Sequence, residues 1–377
     1  MTLNRLIYLD YNATTPLLPS VREAMIGSME FVGNASSIHS YGRSIRKILE
    51  EARQTIASYF SRPASDVIFT SGATESNNLA LQGFKGNVIV SAIEHDSVYE
   101  VRQDRQVCPV SQSGIVDLGV LEELLKQRQS PVLVSVMYAN NETGIIQPMA
   151  DVVSLARRYG AFVHCDAVQV IGKKTVDWEA LGIDMISLSA HKIGGPQGVG
   201  ALIVSPKISL GPLIKGGGQE RFFRSGTENV LGIVGFSEAI KKVQEADWSR
   251  VRNLRKALEK EIAEISSSVC IIGQGVERLP NTVTFCGMGL KSAVQVMSFD
   301  LRGVAVSAGS ACSSGKVRSS RVLRQMGLSS DLIETSLRVS MGLETTSEDI
   351  ALFVEAWRQI FCTNCAQEAL GEKNARV

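Results

Sequence analysis

The chain predicts an α/β protein, with a mostly parallel central sheet in a large domain followed by a smaller α+β domain. Three observations carry that expectation. Strand-like apolar runs alternate with amphipathic helical patterns over the first half of the chain, as in a parallel sheet covered by helices on both faces. At 377 residues the chain exceeds what one hydrophobic core usually holds. After Gly216-Gly-Gly218 the alternation gives way to a long helical pattern and shorter strands. The expected division assigns 14–250 to the large domain, and 1–13 with 251–377 to the small one.

In chain order, residues 44–60 place Ile45, Ile48, Leu49, Ala52 and Ile56 on one helical face. Residues 66–70 read as a strand that runs into Ser71-Gly-Ala-Thr-Glu75. Further strands are expected at 87–92, 131–139, 161–166, 184–189 and 199–204. Residues 150–159 read as a helix closed by Gly160. A single long helix with a charged face is expected over 233–265. Strands at 269–272, 281–285 and 304–306 then accompany helices at 292–301 and 345–361. The last helix pairs Thr345 with Glu348 in a capping box and carries a stripe of Ile350, Phe353, Val354, Trp357 and Phe361.

Composition narrows the function. Hydrophobic residues at 44%, charged ones at 20% and a net charge of +1 are ordinary for a soluble globular enzyme. Acids and bases are interspersed without a long basic block, so neither nucleic acid nor a membrane surface is an expected partner. The apolar runs 132–139 and 199–204 are too short to span a bilayer. The N-terminus lacks the apolar core and cleavage site of a signal peptide. Seven scattered cysteines do not form a disulfide framework, and the reducing cytoplasm is the expected location.

Ligands of open parallel sheets bind beyond the carboxyl ends of the strands. The run Asp184-Met-Ile-Ser-Leu-Ser-Ala-His-Lys192 delivers a lysine to such an end, and glycines follow at once. Burial lowers an amine's pKa and makes it a nucleophile able to form a Schiff base with an aldehyde. Ser189 and His191 can hold a phosphate beside it. Together they fit a lysine carrying pyridoxal phosphate, the electron sink of amino-acid chemistry. A basic turn after a strand is the plain alternative.

Other strand ends add to this site. The amides of Ser71-Gly-Ala-Thr-Glu75 and the Thr74 hydroxyl can take an anion, or the loop is simply an N-cap. His95 can stack on a planar ring or be structural. Asn140-Asn-Glu-Thr-Gly144 ends a third strand, although Asn-rich turns are common without function. Asp166, three residues before Gln169, can pair with a protonated pyridine nitrogen or cap a helix. Chance does not readily bring four such signals and Lys192 to one edge.

The small domain contributes Ser307-Ala-Gly-Ser-Ala-Cys312-Ser-Ser-Gly315. Its small residues imply an accessible loop in which the Cys312 thiolate can act as a nucleophile, with a bystander thiol as the alternative. Arg338, in Ser336-Leu-Arg-Val-Ser340, can clamp a carboxylate or stand solvated on a strand edge. Cys362 and Cys365 form one Cys-x-x-Cys without the second pair that zinc needs, so two thiols one helical turn apart is the simpler account.

Together these residues resemble the cysteine desulfurases of the NifS/IscS type, in the class V branch of fold-type-I pyridoxal phosphate enzymes. The resemblance runs from Tyr8-Leu-Asp-Tyr-Asn-Ala-Thr-Thr15 through Asn34-Ala-Ser-Ser-Ile-His39 to about residue 360. Its motifs are Ser-Gly-Ala-Thr-Glu-Ser-Asn-Asn (71–78), Asn-Asn-Glu-Thr-Gly (140–144), Ala-His-Lys (190–192), Arg-Ser-Gly-Thr (224–227) and Gly-Ser-Ala-Cys (309–312).

The resemblance implies a role for each position. Lys192 would hold pyridoxal phosphate, His95 would stack on its ring, and Asp166 would face the pyridine nitrogen. Gln169 and Asn141 would bond the phenolic oxygen. Ala73, Thr74, Ser189 and His191 would hold the phosphate, joined in a homodimer by the partner subunit's Thr227. Arg338, with Asn141, would bind the carboxylate of L-cysteine. Cys312 would take the sulfur as a persulfide, leaving L-alanine, and pass it to an acceptor or iron–sulfur scaffold protein. No resident metal is implied; Cys312 would at most ligate transiently a cluster shared with the acceptor.

The segment 361–377 is short and charged and lacks the longer docking tail of the housekeeping branch, which leaves acceptor and pathway open. Competing readings are a selenocysteine lyase or another class V aminotransferase, a non-catalytic interaction protein of the same fold, and a metal module built on Cys362 and Cys365.

Overall fold

The computed structural model describes residues 6–374 apart from 267, 288 and 310–318, with backbone alone for 362–374. Cys312 therefore lies outside the described residues, as do the side chains of Cys362 and Cys365. The central sheet has seven strands in the order Val67–Thr70, Gly200–Val204, Met185–Ser189, Phe162–Asp166, Val132–Ser135, Asn87–Ser91 and Gln106–Cys108. Gly200–Val204 runs antiparallel to both neighbours, and the remaining pairs are parallel. Because Val67–Thr70 and Met185–Ser189 both oppose Gly200–Val204, the carboxyl ends of six strands share one edge. Most of these strands are apolar runs buried along their whole length, as expected where helices cover both faces.

The three-residue edge strand Gln106–Cys108 escaped the sequence reading, being too short to show an alternating pattern. The expected helix over 44–60 begins earlier, at Ser40, where the His39 ring accepts from the Gly42 amide at 3.3 Å. The expected helix 233–265 is two helices, Val230–Val243 and Ser249–Ile265. Asp247 starts the second by accepting from the Ser249 amide at 2.9 Å and its hydroxyl at 2.8 Å. No glycine or proline marks that break, so the continuous charged face concealed it. The capping box of the last helix, Ser347–Asn374, also lies one residue further on: Asp349 accepts from the Thr346 amide at 2.8 Å, and Thr346 Oγ1 accepts from the Asp349 amide at 3.2 Å. Thr345 instead receives the Gly342 amide. Among the described residues no helix is long and apolar enough to cross a membrane.

One core cluster packs Ile45, Leu49, Ile56 and Phe236 against Ile89, Val134, Val163 and Ile186 of the sheet. A second gathers Leu9, Leu258, Val283, Phe285, Phe299, Phe353 and Trp357 around a four-stranded antiparallel sheet, Ser307–Ala308, Leu337–Ser340, Thr282–Cys286 and Cys270–Ile271. The N-terminal strand Ile7–Tyr8 pairs in parallel with Val304–Ala305 beside this second core, and Asp10 then bridges Ser340.

A buried ion pair fastens the helix Ser40–Tyr59 to the sheet. Arg53 is bidentate to Glu220 at 2.7 and 2.8 Å, and Glu220 also accepts the Phe69 amide at 2.8 Å. Glu220, Arg221 and Phe222 all have left-handed φ, at 43°, 54° and 67°, which costs free energy that this clamp offsets. Glu220→Gln should therefore lower stability by about 3 kcal/mol, the low end for a broken buried pair, since Glu50 remains a partner for Arg53. An unchanged urea midpoint would show that the clamp contributes nothing.

Candidate active site

A cavity of about 380 Å³ opens at the shared carboxyl edge of the strands. Its size suits a small cofactor. Val67–Thr70 feeds it through Ser71 and Gly72 into the helix Ala73–Gly83, whose first amides face outward. Gly72 has φ +150°, and the neighbouring strand passes so close that a Cβ on Gly200 would sit 2.7 Å from the Gly72 Cα. Only glycine fits that contact. Ser71, Gly72, Ala73 and Thr74 line one end of the cavity, with Ser189 from the end of Met185–Ser189 and His191 from the turn that follows. Burial, and then the charge of Lys192, push the His191 imidazole down to about 4, so it is neutral at physiological pH. Glu75 also lines the cavity, but Arg224 holds its carboxylate at 2.9 Å and the Ser71 amide donates to it at 2.8 Å. Burial alone would raise its pKa; these bonds outweigh burial and lower it.

A hydrogen-bond chain supports the other wall. Asn77 donates one amide hydrogen to Asp166 at 2.8 Å and the other to Ser97 Oγ at 2.9 Å. Ser97 Oγ lies 2.7 Å from His95 Nδ1, which also accepts the Ser97 amide at 3.1 Å. Since the Ser97 oxygen already accepts from Asn77, its own hydrogen goes to Nδ1, and the His95 proton sits on Nε2. Asp166 accepts in addition from the Val168 amide at 3.1 Å. Lys192 lies between the walls, its Nζ donating to the Asn12 carbonyl at 2.5 Å and the Ala13 carbonyl at 2.7 Å. Gln169 donates to the same Asn12 carbonyl at 3.0 Å.

The structure thus brings Ala73, Thr74, His95, Asn141, Asp166, Gln169, Ser189, His191 and Lys192 to one cavity. Arg338 does not line it. It is neither solvated nor open: at 0% exposure it pairs with Asp10 at 2.6 Å and donates to the Asn141 carbonyl at 3.1 Å. Its Nε has no partner among the described residues. Thr227 is exposed and stands outside this cavity, although Arg224 of the same turn reaches Glu75. Asn12, Asn77 and Ser97 were missed as site residues. Asn77 had a signal, an amide amid the apolar residues of a helix that begins at a strand end.

Residues 7–353 match the model of the class V aminotransferases. The chain is 39% identical over 376 residues to a protein of Dictyoglomus turgidum called cysteine desulfurase IscS, covering 95% of each chain. A NifS-like protein from Rickettsia africae superposes with a TM-score of 0.89 at 38% identity, over 95% of this chain and 99% of the other. A solved structure of SspA in complex with cysteine gives a TM-score of 0.77 at 30% identity, over 89% of this chain and 98% of that one. The chain belongs to the cysteine desulfurase family. That family depends on pyridoxal phosphate and has the fold-type-I architecture seen here. The donor set of this cysteine desulfurase fold suits the cofactor: amides and hydroxyls for an anion at one end, a carboxylate for a protonated ring nitrogen opposite, and an amine between.

The sheet beneath carries a titration of its own. His164 is buried between Ser135 Oγ at 2.8 Å and Ser187 Oγ at 2.9 Å, and burial pushes its imidazole down from 6.5 to about 3. Below pH 6.5 the unfolded chain binds a proton here that the folded one refuses, so stability falls with pH from 6.5 towards 3. His164→Gln should flatten the decline in urea midpoint between pH 6.5 and 4; a slope equal to that of the parent would show that His164 is not held neutral.

Proposed function

We propose that the protein is a cysteine desulfurase that converts L-cysteine to L-alanine and carries the sulfur on Cys312 as a persulfide. The observation that carries the reading is Lys192, the only amine among the described residues lining a cavity that also presents Asp166, His95 and the anion-binding helix start. Pyridoxal phosphate, when bound there, supplies the electron sink that lets an amino acid lose its α-proton. Lys192 would anchor it, and Lys192 Nζ would be the base that takes that proton. Asp166 holds a proton at the ring nitrogen, and His95, its tautomer fixed by Ser97, packs on the ring. Gln169 and Asn141 bond the phenolic oxygen. Ala73, Thr74, Ser189 and His191 hold the phosphate.

Arg338 recognises the substrate carboxylate, which takes the place of Asp10 on the guanidinium. Its Nε, without a partner among the described residues, would supply a second donor. The Cys312 thiolate then attacks the substrate sulfur. A sulfur–sulfur bond forms, the carbon–sulfur bond breaks with its electron pair left on carbon, and protons complete the methyl group of alanine. The persulfide passes to a sulfur acceptor, for iron–sulfur cluster or other sulfur-compound synthesis in the cytoplasm. Residues 14–250 act as the cofactor-binding domain, and 1–13 with 251–377 as the domain that carries the Cys312 loop. The two largest core clusters lie on either side of that division apart from Leu279, while a smaller one packs Ile93, Met137 and Ile145 against Ile272, Val322 and Leu323 across it.

A two-fold dimer completes the site. Ile26, Met29, Phe31, Val32, Ile38 and Tyr41 are all exposed, more apolar surface than one short segment usually leaves in water. A second copy would cover it, and the partner subunit's Thr227 would reach the phosphate.

The purified protein should be yellow, and borohydride should fix the cofactor to Lys192. Cys312→Ser should keep the colour and its spectral response to L-cysteine but form almost no alanine and no persulfide. An adduct on another lysine, or full activity in Cys312→Ser, removes the basis of this reading.

Mixing inactive Lys192→Ala and Thr227→Ala subunits should restore one working site per heterodimer. If the subunits demonstrably exchange and activity stays absent, Thr227 acts within its own chain.

A further inference from the structure

Lys173 has no part in the chemistry described above, yet it is only 6% exposed. Its Nζ donates to Gln169 Oε1 at 3.2 Å, one helical-turn spacing back along the chain. Burial, and then the charges of Lys192 and Arg338, lower its pKa to about 7. A buried amine held beside two cations is costly to keep, and its one hydrogen bond falls on a side chain that lines the cofactor cavity.

The amide of Gln169 is nearly symmetric in shape, so only its partners decide which end is oxygen and which is nitrogen. The Asn12 carbonyl demands a donor, and Gln169 Nε2 meets it at 3.0 Å. The Lys173 ammonium can only donate, so it demands an acceptor, and Oε1 meets it. With both ends assigned, the second Nε2 hydrogen is left for an acceptor in the cavity. The Asn12 carbonyl in turn takes Lys192 Nζ, so Lys173, Gln169, Asn12 and Lys192 form one chain ending at the reactive amine.

We propose that Lys173 is a positioning residue that fixes the Gln169 amide so that Nε2, and not Oε1, faces the phenolic oxygen of the cofactor. This rests on the assignment of Gln169 under the proposed function. The test is a double-mutant cycle on the holoenzyme, read by the absorption maximum of the bound cofactor and by the Kd of pyridoxal phosphate after its removal. Gln169→Ala should shift the maximum and weaken binding roughly three- to tenfold, the scale of one hydrogen bond. Lys173→Met should shift the maximum in the same direction and weaken binding comparably. The double variant should match Gln169→Ala alone, because Lys173 acts only through that side chain. Lys173→Arg, which keeps a donor, should restore the parent spectrum. If Lys173→Met does not fold, Lys173→Gln, one bond too short to reach Oε1, takes its place.

Additive effects, or a parent-like spectrum in Lys173→Met beside an altered one in Gln169→Ala, overturn the proposal and leave the Gln169 assignment standing. A Gln169→Ala variant with unaltered spectrum and Kd overturns both.

Discussion

The hold of two backbone carbonyls on Lys192 is the contact around which the molecule is organised. Asn12 and Ala13 belong to an N-terminal segment whose strand, Ile7–Tyr8, packs with the second core, yet they bond an amine delivered by the central sheet. Asn12 is itself fixed on every side. Its amide donates to Ser340 Oγ, its side chain donates to Thr282 and the Asn141 carbonyl, and Asn281 donates to its Oδ1. A buried polar group that meets all its partners strongly specifies its position, because any shift strands several donors at once. The two cores are thereby registered against each other at the Lys192 amine.

The same logic explains why the cavity walls are built on polar chains. Asp166, Asn77, Ser97 and His95 are linked so that each hydrogen has one destination. Those bonds fix the histidine tautomer. Arg338 follows the rule for buried charge in another way: its desolvation is met by Asp10 and the Asn141 carbonyl. Glu75 and Arg224 neutralise each other at the rim of the anion end, so the helix amides remain the electropositive feature there.

Legibility of the sequence followed burial and periodicity. The six expected strands of the central sheet stood out because each is a short, mostly apolar run, whereas the Gln106–Cys108 edge strand is too short to show one. The break between Val243 and Ser249 was invisible because it is made by an aspartate cap inside a charged stretch. Arg338 stood open between a carboxylate clamp and a solvated strand-edge cation because alternation reports which face a residue occupies and says nothing of what covers that face. Asn77 stood within the 71–78 motif without a role, since only the fold brings Asp166 and Ser97 to it.

By itself the sequence determined the fold class, the carboxyl edge as the place for chemistry, and the residue types gathered there. These follow from local properties: apolar runs define strands, and polar residues at strand ends face the crevice. Tertiary structure alone decided the connections. It placed Asn12 on Lys192 across 180 residues, oriented Gln169 between Asn12 and Lys173, and gave Arg338 to Asp10 across 328. Hydrogen bonds over such separations depend on how layers pack and on which buried donors would otherwise be orphaned, and no window of sequence contains that information.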